Sequence, residues 1–257
     1  MIDLNNKQRN MSHLETEMAQ LKAETMKMWE LVNLQLAKGK EALVKLDKDL
    51  AREIILSERR VNAFELKLDR DCENIFALFN PVAVDLRFVL AVLKINNNLE
   101  RTGDVVKGIA KFVTNVDNSF DKKLLDITRA VEMYQATIDM MADVLDAFDK
   151  EDTIKARKVF KKDELVDEIN FNANKAVADY IREHERTFAN ESKAAAGKNT
   201  DSSIRVHDEH VESALYLLSI IRKLERVGDQ ATNIAEEIIF YVEAKVLKHK
   251  TEKERNQ

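Results

Sequence analysis

Along much of the chain, apolar residues recur at alternating spacings of three and four, the signature of a helix with one buried stripe. Val89, Val92, Asn96, Leu99, Gly103, Val106, Ala110 and Val113 keep this rhythm. So do Ala214, Leu217, Ile221, Leu224, Gly228, Ala231, Ala235, Ile238 and Val242. A heptad-like seam of this kind predicts helices packed side by side at shallow angles. Polar breaks divide the chain into six predicted helices. The first covers 14–45, and the turn Leu46-Asp47-Lys48-Asp49 offers Asp49 as the N-cap of a second that runs to Phe79. Asn80-Pro81 ends that helix, because proline disfavours a helical residue before it. The others are expected over 82–116, 122–148, 153–188 and 204–247, with a turn at 149–152 and a polar loop at 190–203.

The pattern is a repeat. Aligning Leu99–Ala110 with Leu224–Ala235, an offset of 125, gives seven identities in twelve positions, against roughly one from ordinary composition. A chain of 257 residues is also long enough for two units of roughly 100–150. The expectation is an all-α fold of two tandem three-helix bundles, over 11–116 and 120–248.

Composition narrows the class further. One proline and five glycines leave too few turn residues for a many-stranded sheet. A net charge of −5, with no long basic stripe before Lys245, argues against nucleic acid as a partner. The lone Cys72 fits a reducing compartment. Met1–Asn10 lacks an apolar signal core, and no stretch approaches the roughly 18–20 apolar residues of a membrane span. A cytoplasmic protein without membrane insertion is expected.

The repeat carries an acidic constellation. Glu100 and Asp104, like Glu225 and Asp229, stand four apart on one helical face, each directly after a seam residue. Like charges at this spacing disfavour a helix by a few tenths of a kcal/mol, and by more when half-buried. A solvated face neutralised by Arg101, Arg226 and nearby lysines is one account. The pairs recur in register beside Gly103 and Gly228, however, and Glu58/Asn62 and Asp163/Asp167 add a second spaced pair to each half. Oxygen ligands from adjacent helices suit hard cations, which is the other account. The two glycines, each costing about 1 kcal/mol inside a helix, mark either a close helix approach or backbone near a bound ion. No histidine sits three after a glutamate, which argues against di-iron oxidase chemistry. His207 and His210 flank the polar loop and are expected to be solvated. No phosphate-cradling Gly-rich loop or nucleophile set supports an enzyme.

The strings LERTGD (Leu99–Asp104) and LERVGD (Leu224–Asp229), each continuing to Ile-Ala, resemble the signature of the PhoU family of phosphate-regulon regulators. Asn80-Pro-Val-Ala-Val-Asp-Leu-Arg87 and Asp163-Glu-Leu-Val-Asp167 are similar to the family pattern too, and the likeness runs over nearly the whole chain from Leu14. It implies two three-helix bundles, usually in a homodimer. It also implies negative control of phosphate uptake and signalling by an adaptor, not an enzyme, between the ATPase subunit of a phosphate ABC transporter and a sensor histidine kinase. Carried over residue by residue, one metal site would comprise Glu58, Asn62, Glu100 and Asp104, and the other Asp163, Asp167, Glu225 and Asp229. The ion would be Fe, Mn or Mg. Asn62 stands where the family commonly has aspartate, so the first site should hold metal more weakly. The second repeat lacks the Pro-Val-Ala-Val-Asp-Leu-Arg segment. Service to a different phosphate permease, or a role as a metal-dependent enzyme or metal store, are the alternatives.

Overall fold

The computed structural model describes residues 2–117, 119–194 and 201–247, and side chains over 13–117, 119–190 and 208–247. Among the described residues every regular element is helical: α1 (Ile2–Lys45), α2 (Lys48–Phe79), α3 (Ala83–Asn115), α4 (Lys122–Thr128), α5 (Ala130–Lys150), α6 (Thr153–Ala194) and α7 (Asp201–Glu243). At a rise of about 1.5 Å per residue, α3 and α7 are on the order of 50–65 Å long.

The helix starts follow local chemistry. Asp47, not Asp49, caps α2, its carboxylate accepting the Leu50 N–H at 2.9 Å. Asp49 lies inside the first turn instead. Asp152 does the same for α6, accepting the Lys155 N–H at 2.9 Å. Asn80 closes α2 in the left-handed conformation that asparagine tolerates, just before Pro81. One expected helix is broken in two. Arg129 adopts φ 53° between α4 and α5, a conformation that costs a non-glycine residue roughly 1–2 kcal/mol. Its guanidinium is clamped by Glu132 at 2.7 and 2.9 Å and by Glu168 of α6 at 3.1 Å. Those contacts hold the kink, and no glycine or asparagine advertises it. The predicted loop at 190–203 is partly replaced by helix. Residues 190–194 and 201–203 are helical, and 195–200 lie outside the described residues.

The helices α1, α2 and α3 pack as one bundle, and α5, α6 and α7, with the short α4 against α6, as another. The bundles meet along α3–α7 and α1–α5. Both predicted seams are buried apart from the half-buried Val242. An aromatic knot joins the halves at one end: Trp29 lies 5.6 Å from Phe148, and Phe88 contacts Phe148 at 6.0 Å and Tyr241 at 5.4 Å. The Trp29 indole N–H donates to the Met141 carbonyl at 3.2 Å, so its burial leaves no polar group unmet. Lys94 of α3 bonds the buried Glu237 of α7 at 2.9 Å, tying the same interface electrostatically.

Candidate metal centres

In each half the acidic residues come from two packed helices, α2 with α3 and α6 with α7. The glycine on the seam lets those helices close. A methyl group added at Gly103 would sit 3.2 Å from Val61 Cγ1, and one at Gly228 would sit 3.2 Å from Val166 Cγ1. Val61 and Val166 each stand three after the first acid of their pair, Glu58 and Asp163. The two notches are therefore equivalent. The second is also closed by the acid itself, since a Gly228 methyl would meet Asp163 Oδ1 at 2.6 Å.

The chemistry in the two notches differs. In the first half Glu58 is buried, at 6% exposure. The Asn62 amide donates to its Oε1 at 2.7 Å, and Lys107 Nζ lies 3.0 Å from the same oxygen and 3.5 Å from Asp104 Oδ1. Burial opposes ionisation of Glu58, but the Lys107 and Asn62 hydrogen bonds outweigh it and hold the carboxyl below its usual range. Asn62 Oδ1 is buried and receives no hydrogen bond. Glu65 lies seven after Glu58 on α2 and joins the cluster. Burial first, then Asp69 and Asp104, pushes its carboxyl upward. Glu100 is raised by burial, then by Asp104 and Glu65.

In the second half the position equivalent to Lys107 is Thr232, whose hydroxyl turns back to the Asp229 carbonyl at 2.9 Å. The position equivalent to Asn62 is Asp167. Glu225 is pushed up by burial, then by Asp229 and Asp167, against a weaker pull from Arg226. Asp229 is pushed up by burial, then by Asp167. These mutual repulsions mark Asp167 of α6 as a near neighbour of Glu225 and Asp229 of α7. Among the described residues, no Lys or Arg forms an ion pair with Asp167, Glu225 or Asp229, and no three His, Cys, Asp or Glu side chains converge as they stand into an ion-holding group.

The donor sets decide which centre suits a cation. The second offers four carboxylates, three of which (Asp167, Glu225 and Asp229) form no ion pair with a Lys or Arg among the described residues, the oxygen-rich set that a hard cation takes. The first fits less well: Glu58, Glu65, Glu100 and Asp104 gather there, but a lysine ammonium already occupies the place between Glu58 and Asp104.

The histidines lie elsewhere. His210 is not simply solvated; it is half-buried and stacks on His184 at 4.9 Å. His184 Nε2 lies 3.8 Å from Asp121, which also accepts the Tyr180 hydroxyl at 2.7 Å. The His207 side chain lies outside the described residues. Sequence reading also passed over Lys107 and Glu65. Helical spacing could have found both, since Glu65 continues the Glu58/Asn62 face and Lys107 stands three after Asp104.

Comparison with known proteins settles the family. The PhoU domain model matches residues 25–113 and again 130–238. The chain belongs to the PhoU family. A phosphate-specific transport system accessory protein PhoU from Edwardsiella tarda is 29% identical over 97% of this chain and 92% of its own length. The corresponding Caulobacter vibrioides homolog is 32% identical over 87% of each chain. The crystal structure of PhoU from Pseudomonas aeruginosa superimposes with a TM-score of 0.76 at 25% identity, covering 90% of this chain and 99% of that one. The phosphate transport system regulatory protein PhoU of Streptococcus pneumoniae gives 0.74 at 25%, covering 91% and 98%. These PhoU relatives are named as accessory or regulatory proteins of phosphate transport. Among the described residues no helix is long and apolar enough to cross a membrane.

Proposed function

We propose that this chain is a cytoplasmic, homodimeric negative regulator of phosphate uptake and phosphate-regulon signalling. It acts as an adaptor between the ATPase subunit of a phosphate ABC transporter and a sensor histidine kinase, without catalysis of its own. The observation that carries this reading is the doubled PhoU match, together with relatives named for phosphate transport over most of their length. Within that role, Asp163, Asp167, Glu225 and Asp229 hold a hard cation such as Fe, Mn or Mg. When bound, the ion supplies positive charge that ties α6 to α7. The residues do the rest: the Gly228 notch seats the Asp163 carboxylate against α7, and Val166 packs beneath it. Glu58, Asn62, Glu100 and Asp104 form the equivalent cluster in the first half, held by Lys107 in place of metal.

An adaptor needs a surface to offer. The corner between α2 and α3 exposes Leu78, Val82 and Val84 at 71%, 70% and 58%, a clustering of large apolar side chains that suits protein contact. Deletion of the gene should leave phosphate-starvation genes expressed in phosphate-rich medium, and Val82→Asp with Val84→Asp should do the same while the protein stays folded. Unchanged repression after deletion would remove this reading.

A further inference from the structure

Where α3 packs on α7, a cavity of about 460 Å³ is lined by Arg101, Asp104 and Val105 from one half and Lys223, Arg226 and Gln230 from the other. Arg101 and Arg226 are the arginines of the two LER-x-GD strings, so the duplication brings the same residue to the cavity from both sides. Among the described residues neither arginine has an ion-pair or hydrogen-bond partner. Lys223 lies over the Phe112 ring, 5.7 Å from its centroid, against the backbone notch at Gly108, and feels the Asp104 carboxylate across the cavity. A methyl group at Gly108 would come 2.7 Å from Lys223 Nζ, so this helix-interior glycine makes the seat for the ammonium. Asp104 also lines the cavity, but its carboxylate is drawn to Lys107 at 3.5 Å. Gln230 Oε1 is buried there without a donor.

The exposed Arg101 and Arg226 and the half-buried Lys223 put three cations against one acid, Asp104, around this space. Arginine forks match phosphate oxygens two at a time. A single phosphate would fill only a small part of the space, whereas linked phosphates could span both arginines. We propose that this cavity at the interface of the halves binds an anion carrying two or more linked phosphate groups, with Arg101, Arg226 and Lys223 as its ligands. The site is separate from the cation centre and does not depend on it.

The test is calorimetric titration of the full chain, in a chelating buffer, with pyrophosphate, ATP and inorganic phosphate in turn. Pyrophosphate and ATP should bind, and inorganic phosphate at least roughly tenfold more weakly. Arg101→Gln and Arg226→Gln should each weaken binding by about tenfold or more, the loss of a charge-assisted pair. Arg52→Gln, on the outer face of α2, should leave it unchanged. ATP binding tighter than pyrophosphate assigns a nucleotide; equal affinity assigns the bare phosphate chain. The proposal is overturned by absent heat with both ligands, by equal affinity for inorganic phosphate, or by binding seen only without chelator. Arginine variants that stay helical by circular dichroism and bind as the parent does would also overturn it, as would equal weakening by Arg52→Gln.

Discussion

The two halves place the same helices, the same seam glycine and the same Glu-x-x-x-Asp pair in the same notch, yet they handle the charge in opposite ways. In the first half Lys107 lies between Glu58 and Asp104, and Asn62 replaces an acid while donating to Glu58. In the second, Thr232 and Asp167 occupy those positions, and repulsion lifts Glu225 and Asp229. Carboxylates crowded on packed helices need compensating charge. It can be built into the chain, as at Lys107, or left for an ion to bring. Duplication supplied the scaffold twice, and divergence at Lys107/Thr232, Asn62/Asp167 and Glu65/Asn170 gave the two centres different charge; in the function proposed above only the second takes a cation.

The largest expected effect comes from removing the internal cation. Lys107→Met leaves Glu58 buried without its partner and should cost about 2 kcal/mol, below the full penalty for breaking a buried pair because Lys107 is itself 27% exposed. Urea unfolding measures it, and adding Glu58→Gln should recover most of the loss. An unchanged midpoint in the single variant would mean that the pair contributes nothing.

A smaller contrast is expected at the glycines. Gly103→Ala presses on Val61 in the core, so overpacking and the roughly 1 kcal/mol gain in helix propensity nearly cancel. Gly228→Ala displaces the Asp163 carboxylate, and should cost little stability while weakening cation-dependent protection by several-fold. Thermal melts with and without Mn read both.

The smallest effect is in pH dependence, measured with chelator present. Glu58 is held low, so its stabilisation is complete above the ordinary carboxylate value of about 4 and fades as pH falls through the lowered range. Glu225 and Asp229 are raised, so they bind protons more tightly folded than unfolded. Their repulsion is absent in acid and grows as pH rises from about 4. Glu58→Gln should therefore cost stability at pH 7 but not in acid, and Glu225→Gln with Asp229→Asn should gain it at pH 7. Stability curves that shift in parallel would contradict both signs.

Much of the fold was legible because it rests on periodicity. The seams of α3 and α7, the stop at Asn80-Pro81 and the duplicated motif all follow from spacing within a single helix. The break at Arg129 was not, since it depends on Glu168 reaching across from another helix to hold an unfavourable conformation. The Asp47 cap was misplaced by two residues because either aspartate in that turn carries the right chemistry. At the site, the paired acids and Asn62 stood out from the repeat. What Lys107 does was hidden, because its decisive contact is with Glu58 on the neighbouring helix. The cavity between the halves needed the packing of α3 on α7, which no local pattern encodes.

Metal content of the dialysed protein after loading with Mn tests the asymmetry most directly. The wild type should retain a cation, and the variant lacking Glu58 and Glu100 carboxylates should retain as much. The variants Glu225→Gln with Asp229→Asn, and Asp167→Asn with Thr232→Lys, should retain none. Loss of metal on altering the first centre, or retention after altering the second, would contradict the division of roles.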